Sequence, residues 1–378
     1  MRKKILHLAS FSGNIGDIAN HTSMHELFIH NSEDKSILFS EIEMRNFYKN
    51  SNIKKFDIGF IKEINKYDAL IIGGGAYFDV RWNNSYSGTT LDMSNSFMQQ
   101  IKIPVLINAM GFMNYYPKEK FNQARMRFNS FLEEVIKLNW KITVRNDGSK
   151  KRLKSTYGNK FENFIETVPD AAFLFNKKDL LKERNKIIGI NFINELFDLN
   201  YTNGYAIESF NKDAITFVNF LLHENFAIIF FPHTPHDLKI LELFRNSIEE
   251  NYFRYSIQIA PFCPNSLDGV LDIDKYYSKC DIVVGMRFHS CVLSLKNNVP
   301  VIALDANERL TDFFEEIGFS ENCVSVKENC FTRIKNKIDY INNNYTQIQS
   351  KLNAMNKKIS INYNEYVKSS LKYLGVNK

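Results

Sequence analysis

The sequence predicts an α/β protein made of two parallel-sheet domains. Strand, loop and helix-length segment follow one another repeatedly along the chain. The alternation pauses once, in the polar stretch NKKDLLKERNK at 176–186, and then restarts. At 281–290, DIVVGMRFHS, a buried apolar run passes at once into a helical pattern, with a cation and an imidazole at the joint. Strands separated by helix-length crossovers form right-handed βαβ units and therefore parallel sheets. Two such halves in tandem are expected to make two Rossmann-like domains facing each other across a cleft, followed by a long C-terminal helix.

In chain order, KILHLA (4–9) reads as the first buried strand. The loop FSGNIGDIANH follows, with a helix expected to start near Thr22. SILFSEI (36–42) is a weaker strand, and FIKEINKY an amphipathic helix leading to DALIIGGG (68–75). PVLINAMG (104–111) and KITVRND (141–147) are further strands, the second followed by a basic helix start, GSKKRLKS, and ETVPDAAF closes the half. The second half has strands at IIGINFI (187–193), FAIIFFPH (226–233), SIQIAPF (256–262), DIVVGM (281–286), PVIALD (300–305) and CVSV (323–326). In the tail, Ile334, Ile338, Ile341, Tyr345, Ile348, Leu352, Met355 and Ile359 recur in steps of three and four. That is one long amphipathic helix, expected to pack along its own domains and to cross back to the first. The expected divisions are 1–177, 178–330 and 331–378.

The chain has 378 residues, 44% of them hydrophobic, enough for two cores. Its formal charge of +6 is mild and dispersed, so it does not indicate nucleic acid; it suits an anionic small substrate or an anionic membrane surface. Five scattered cysteines without a CxxC pair argue for a reducing compartment and against a zinc knuckle. MRKKILHLAS is too short in its apolar part for a signal peptide, and no run approaches membrane-spanning length. A cytoplasmic location is expected, with peripheral contact at the membrane left open.

The joint GMRFHS is the first candidate site. Strand ends are where open α/β sheets bind ligands, and a helix N-terminus there favours an anion. Arg287, His289 and Ser290 are the donor-side candidates. VRND ends a strand of the other half, and Arg145 would add a second guanidinium, whose fork suits carboxylate or phosphate. SGNIGDIAN (12–20) lacks the full GxGxxG and is not a P-loop. Its Asn14 and Asp17 are candidates for sugar hydroxyls, and Asp17 also for a base; helix capping explains Asp17 as well. GGGAYFD (73–79) permits close backbone approach at Gly74 and Gly75, with Tyr77 and Asp79 on the same edge. FPHTPHD has two histidines three apart, but Thr234, Pro235 and Asp237 read as a helix start, leaving His233 as a reserve residue. HTSMHELFIH is not HExxH and reads as an ordinary helix surface. No metal site is evident.

These residues resemble the polysaccharide pyruvyl transferases over nearly the whole chain. The resemblance is carried by GNIGD, IIGGGAYFD, NAMG, the Arg of VRND, PDAAF and, above all, DIVVGMRFHSCVLSLKNNVPVIALD. The family usually reads Met-Arg-Leu-His where this chain has Phe288. The resemblance implies a glycosyltransferase B-like fold. It also implies transfer of a pyruvyl group from phosphoenolpyruvate to two hydroxyls of a cell-surface sugar or its lipid-linked precursor, without a further cofactor. The family's donor-binding residues correspond to Arg145, Arg287 and His289. A carboxylate, Asp17 or Asp79, would take the acceptor's proton. The alternatives are a nucleotide-sugar-dependent glycosyltransferase, for which no clear ribose-binding Glu is seen, and a non-catalytic glycan-binding protein.

Overall fold

The computed structural model describes residues 2–48, 53–114, 119–176, 184–194 and 205–377. The chain forms two compact units. The first comprises residues 1–11, 20–171 and 361–378, the second residues 12–19 and 172–360. The polar stretch at 176–186 and the expected boundary at 177/178 fall largely outside the described residues.

Unit 1 is built on six parallel strands: β1 (Lys3–Ala9), β2 (Ile37–Glu43), β3 (Ala69–Gly73), β5 (Val105–Met110), β7 (Lys141–Arg145) and β8 (Ile165–Val168), ordered β2-β1-β3-β5-β7-β8. Two short strands, β4 (Phe78–Asp79) and β6 (Phe112–Met113), pair beside the glycine-rich strand ends. Unit 2 has β9 (Ile187–Asn191), β10 (Ala227–Phe230), β11 (Ile257–Ile259), β12 (Ile282–Gly285), β13 (Val301–Asp305) and β14 (Cys323–Ser325). Their order, β11-β10-β9-β12-β13-β14, is the doubly wound arrangement in which the first and fourth strands are central neighbours.

The strands form where the sequence is apolar because helices cover both faces of a parallel sheet. Every residue of β3, β5, β12 and β13 is buried. Each fully buried Val, Ile, Leu or Phe in them contributes about 1.5–3 kcal/mol. Each unit has its own apolar core.

Two elements depart from the sequence-based expectation. The first helix runs Ile15–Asn31, seven residues ahead of Thr22. Asn14 supplies the reason: its Oδ1 accepts from the Gly16 N–H at 2.9 Å and caps the helix. The tail is two helices, Cys330–Asn343 and Tyr345–Tyr373, broken at Asn344. Asn344 leaves helical geometry, with φ −119° and ψ 22°. Ile334, Ile338, Ile341, Ile348, Leu352, Met355 and Ile359 are all buried in the core of unit 2. The residues of the final helix from Ile361 onward count with unit 1, where the Tyr373 hydroxyl donates to the Val105 carbonyl at 3.0 Å.

Candidate active site

In unit 2 the strand order reverses between β9 and β12. Open α/β sheets bind ligands beyond the carboxyl ends of strands at such a reversal. GMRFHS stands there, and Asn191 at the end of β9 ties the joint together. Its Oδ1 accepts from the Arg287 N–H at 2.9 Å, and its Nδ2 donates to the Phe231 carbonyl at 2.8 Å. The Met286 N–H donates to the Asn191 carbonyl at 3.0 Å. One asparagine therefore fixes the ends of three adjacent strands.

Arg287 precedes the helix Phe288–Lys296 in extended geometry. Its guanidinium grips the Asp237 carboxylate in a fork, Nε to Oδ2 at 2.9 Å and Nη2 to Oδ1 at 2.5 Å, and Nη2 also donates to Thr234 Oγ1 at 2.9 Å. Asp237 Oδ2 further accepts from the His233 N–H at 2.8 Å. Burial alone would raise the Asp237 carboxyl, but the guanidinium and this backbone donor outweigh it and hold the group below its ordinary value. The expected helix start at Thr234–Asp237 is present. Its carboxylate has a second task, holding an arginine fifty residues away.

His289 lies in the first turn of the following helix, with the Phe288 ring edge-on at 5.2 Å. Gly16 also lies against it. A Cβ at Gly16 would come within 2.1 Å of the imidazole, so only glycine fits. The loop before Gly16 docks by backbone bonds, Gly13 N–H to the Pro264 carbonyl at 2.8 Å and Ile15 N–H to the His233 carbonyl at 3.4 Å. Gly13 adopts a left-handed φ of +76° to make this approach. Asp17, half-buried in the first helical turn, follows the His289 contact by one residue. Ser290 is fully buried against Gly285. The structure thus places Asn14, Asp17, Arg287, His289 and Ser290 in unit 2, with Gly16, which lies between Asn14 and Asp17, against His289.

Arg145, Gly74, Gly75, Tyr77 and Asp79 lie in unit 1. Arg145 is fully buried between two carboxylates, Asp147 Oδ2 at 3.2 Å from Nε and Asp170 Oδ2 at 3.1 Å from Nη1. VRND and PDAAF, separate in sequence, meet in this pair. Gly111 of NAMG lies against the Arg145 guanidinium and Ala76. Gly74, at φ +84°, packs on Asn20 and His21, and the Asn20 Nδ2 donates to its carbonyl at 2.7 Å. Gly75 packs on the ring of Tyr77, which is buried. Asp79 is buried too and is gripped by Arg81, Nε to Oδ1 at 2.9 Å; burial pushes its carboxyl up despite that partner.

HTSMHELFIH is not an ordinary helix surface. His21 is buried, and His25 is mostly so. Both rings meet His7 of β1, His25 Nε2 lying 2.8 Å from His7 Nδ1. The signal available in the sequence was the spacing of four between His21 and His25, which puts both on one helical face. Among the described residues no group of three or more His, Cys, Asp or Glu is arranged to hold a metal ion. No described helix is long and apolar enough to cross a membrane.

A family model described as polysaccharide pyruvyl transferase matches residues 14–308. No curated protein matches the sequence. Among solved structures, a glycosyltransferase from Rickettsia africae is similar at a TM-score of 0.57 and 13% identity, over 99% of this chain and 98% of that one. The S. aureus MnaA–UDP co-structure is similar at 0.53 and 13%, over 93% and 90%. A UDP-GlcNAc 2-epimerase from Neisseria meningitidis bound to UDP-GlcNAc is similar at 0.51 and 12%, over 92% and 94%. These likenesses establish the glycosyltransferase B-type fold.

Proposed function

The chain belongs to the polysaccharide pyruvyl transferase family, and from that premise we propose that it moves a pyruvyl group from phosphoenolpyruvate to a sugar of a surface polysaccharide or its lipid-linked precursor. The observation that carries the reading is the Arg287–His289 joint at the strand-order reversal of unit 2, with Asp17 beside it. Arg287 and Ser290 receive the anionic donor, and Arg145 keeps a proposed donor-binding role on the resemblance. His289 gives a proton to the methylene carbon of the enol, and an acceptor hydroxyl adds to the adjacent carbon. The hydroxyl's proton passes to Asp17. Asp17 is favoured over Asp79 because it shares a unit with His289, while Asp79 is engaged by Arg81. The tetrahedral adduct expels phosphate with the C–O bonding pair, and a second hydroxyl adds to the cationic carbon left behind, closing the cyclic ketal and returning a proton to His289. Asn14, Gly74, Gly75, Tyr77 and Asp79 remain proposed for the acceptor side. The protein is proposed to act in the cytoplasm, at or near the membrane face where lipid-linked sugars are presented.

A nucleotide-sugar glycosyltransferase is the second reading, favoured by the likeness to the R. africae and MnaA–UDP structures. Thermal shift separates the two. Phosphoenolpyruvate at about a hundred times its dissociation constant is expected to stabilise by about 2.7 kcal/mol. Stabilisation by UDP or GDP, with none by phosphoenolpyruvate, supports the glycosyltransferase instead.

A further inference from the structure

Outside the residues assigned above, one buried histidine in unit 2 is bonded to residues that flank the joint. His233 follows β10 and has no exposed surface. Its backbone N–H is held by Asp237, the residue that grips Arg287. Its carbonyl accepts from Ile15, next to the glycine that abuts His289. The ring's Nε2 lies 2.7 Å from the Tyr277 hydroxyl, and the Tyr277 ring is stacked on Phe231 at 3.8 Å. Among the described residues nothing hydrogen-bonds its Nδ1. A fully buried ring nitrogen without a partner is costly, and its persistence points to a ligand that supplies one.

We infer that His233 is a further donor-binding residue, a neutral imidazole whose Nδ1–H donates to an anionic oxygen of the donor beside Arg287 and His289. The inference rests on the proposed function and adds a residue to its site. Burial pushes the Tyr277 phenol well above its ordinary value, so the hydroxyl keeps its proton. We take Tyr277 as the donor to Nε2, 2.7 Å away, a pairing that leaves the ring's own proton on Nδ1. Burial also pushes the imidazole down to about 3, with the charges of Arg287 and His289 acting in the same direction and Asp237 against them. The ring therefore donates a hydrogen bond without adding a further charge to a site that already has Arg287 and the proton-donating His289. A neutral donor and a guanidinium together distinguish a phosphate or carboxylate oxygen from a neutral hydroxyl.

Two substitutions divide the ring's nitrogens. The amide nitrogen of His233→Asn reaches the place of Nδ1, and that of His233→Gln reaches the place of Nε2. Binding of phosphoenolpyruvate to the full chain is measured by calorimetry, alongside the melting temperature. The expected result is a dissociation constant raised roughly tenfold or more in His233→Gln and nearly unchanged in His233→Asn. Wild-type affinity in a folded His233→Gln overturns the inference and leaves the proposed function standing. Where either variant fails to fold, the 15N resonance of His233 Nδ1 in the wild-type chain decides. A shift on adding phosphoenolpyruvate supports the inference, and an unmoved resonance overturns it. A wild-type chain that does not bind phosphoenolpyruvate removes the proposed function, and this residue's role with it.

Discussion

His289 is held from two sides, by the edge of Phe288 and by the backbone at Gly16. Substituting Gly16→Ala pushes a methyl group into the imidazole and must move one of the two. A misplacement of about 1 Å at a reacting group costs on the order of a hundredfold in rate. Gly16→Ala is therefore expected to lose about that factor in kcat/KM, with about 1–3 kcal/mol of destabilisation from overpacking. Turnover kinetics and thermal melts on the same preparation check both; an unchanged kcat/KM would show that the contact does not position His289. Arg145 calls for a different expectation. Removing its charge leaves Asp147 and Asp170 buried without it, and breaking such a pair costs about 3–5 kcal/mol. Arg145→Met should melt well below the wild type, so activity lost in that variant has to be read at a temperature where it is still folded. At this scale the sequence shows which residues are chemically unusual but not what they touch. Arg287 and His289 stood out because a cation and an imidazole interrupt an apolar pattern. Asp237 read as a helix cap because its pairing with Arg287 spans fifty residues and leaves no local trace.

The helix Ile15–Asn31 shows what an element can hide. Its start carries Gly16 and Asp17 beside His289, and one turn further on its buried face presents His21 and His25 to His7. Burial pushes His25 down to about 4, and burial together with the neighbouring histidines pushes His7 well below its ordinary value. The unfolded chain binds a proton at His25 near pH 6.5, whereas the folded chain does so only near pH 4. Between those values the unfolded state holds more protons, so stability falls as pH falls, by about 1.4 kcal/mol per pH unit for each such histidine. From pH 7 to pH 5, His25 alone should account for about 2 kcal/mol. Denaturation midpoints across that range, compared with a His25→Gln variant, test the claim; equal slopes in the two proteins would contradict it. The strands were legible because each is a short apolar run bounded by a loop. The early start of this helix was not, since glycine at its second position argues against a helix until the Asn14 cap is seen.

At the scale of the whole molecule, the two-sheet architecture was readable because the strand–helix alternation runs twice through the chain. The division of the chain was less so. Residues 12–19 count with the second unit and residues 361–378 with the first, because the partners of both segments lie far away in sequence. The candidate site follows the same rule. Its residues come from the beginning of the chain, from the end of β10 and from the end of β12, and the reversal of strand order in unit 2 gathers them. The most direct test of the central claim is phosphate release by the purified chain given phosphoenolpyruvate and a panel of sugar acceptors. The expected result is release that depends on acceptor and falls at least a hundredfold in a folded His289→Ala variant. Release that His289→Ala leaves at full rate, or no release with any acceptor while UDP binds, would contradict it.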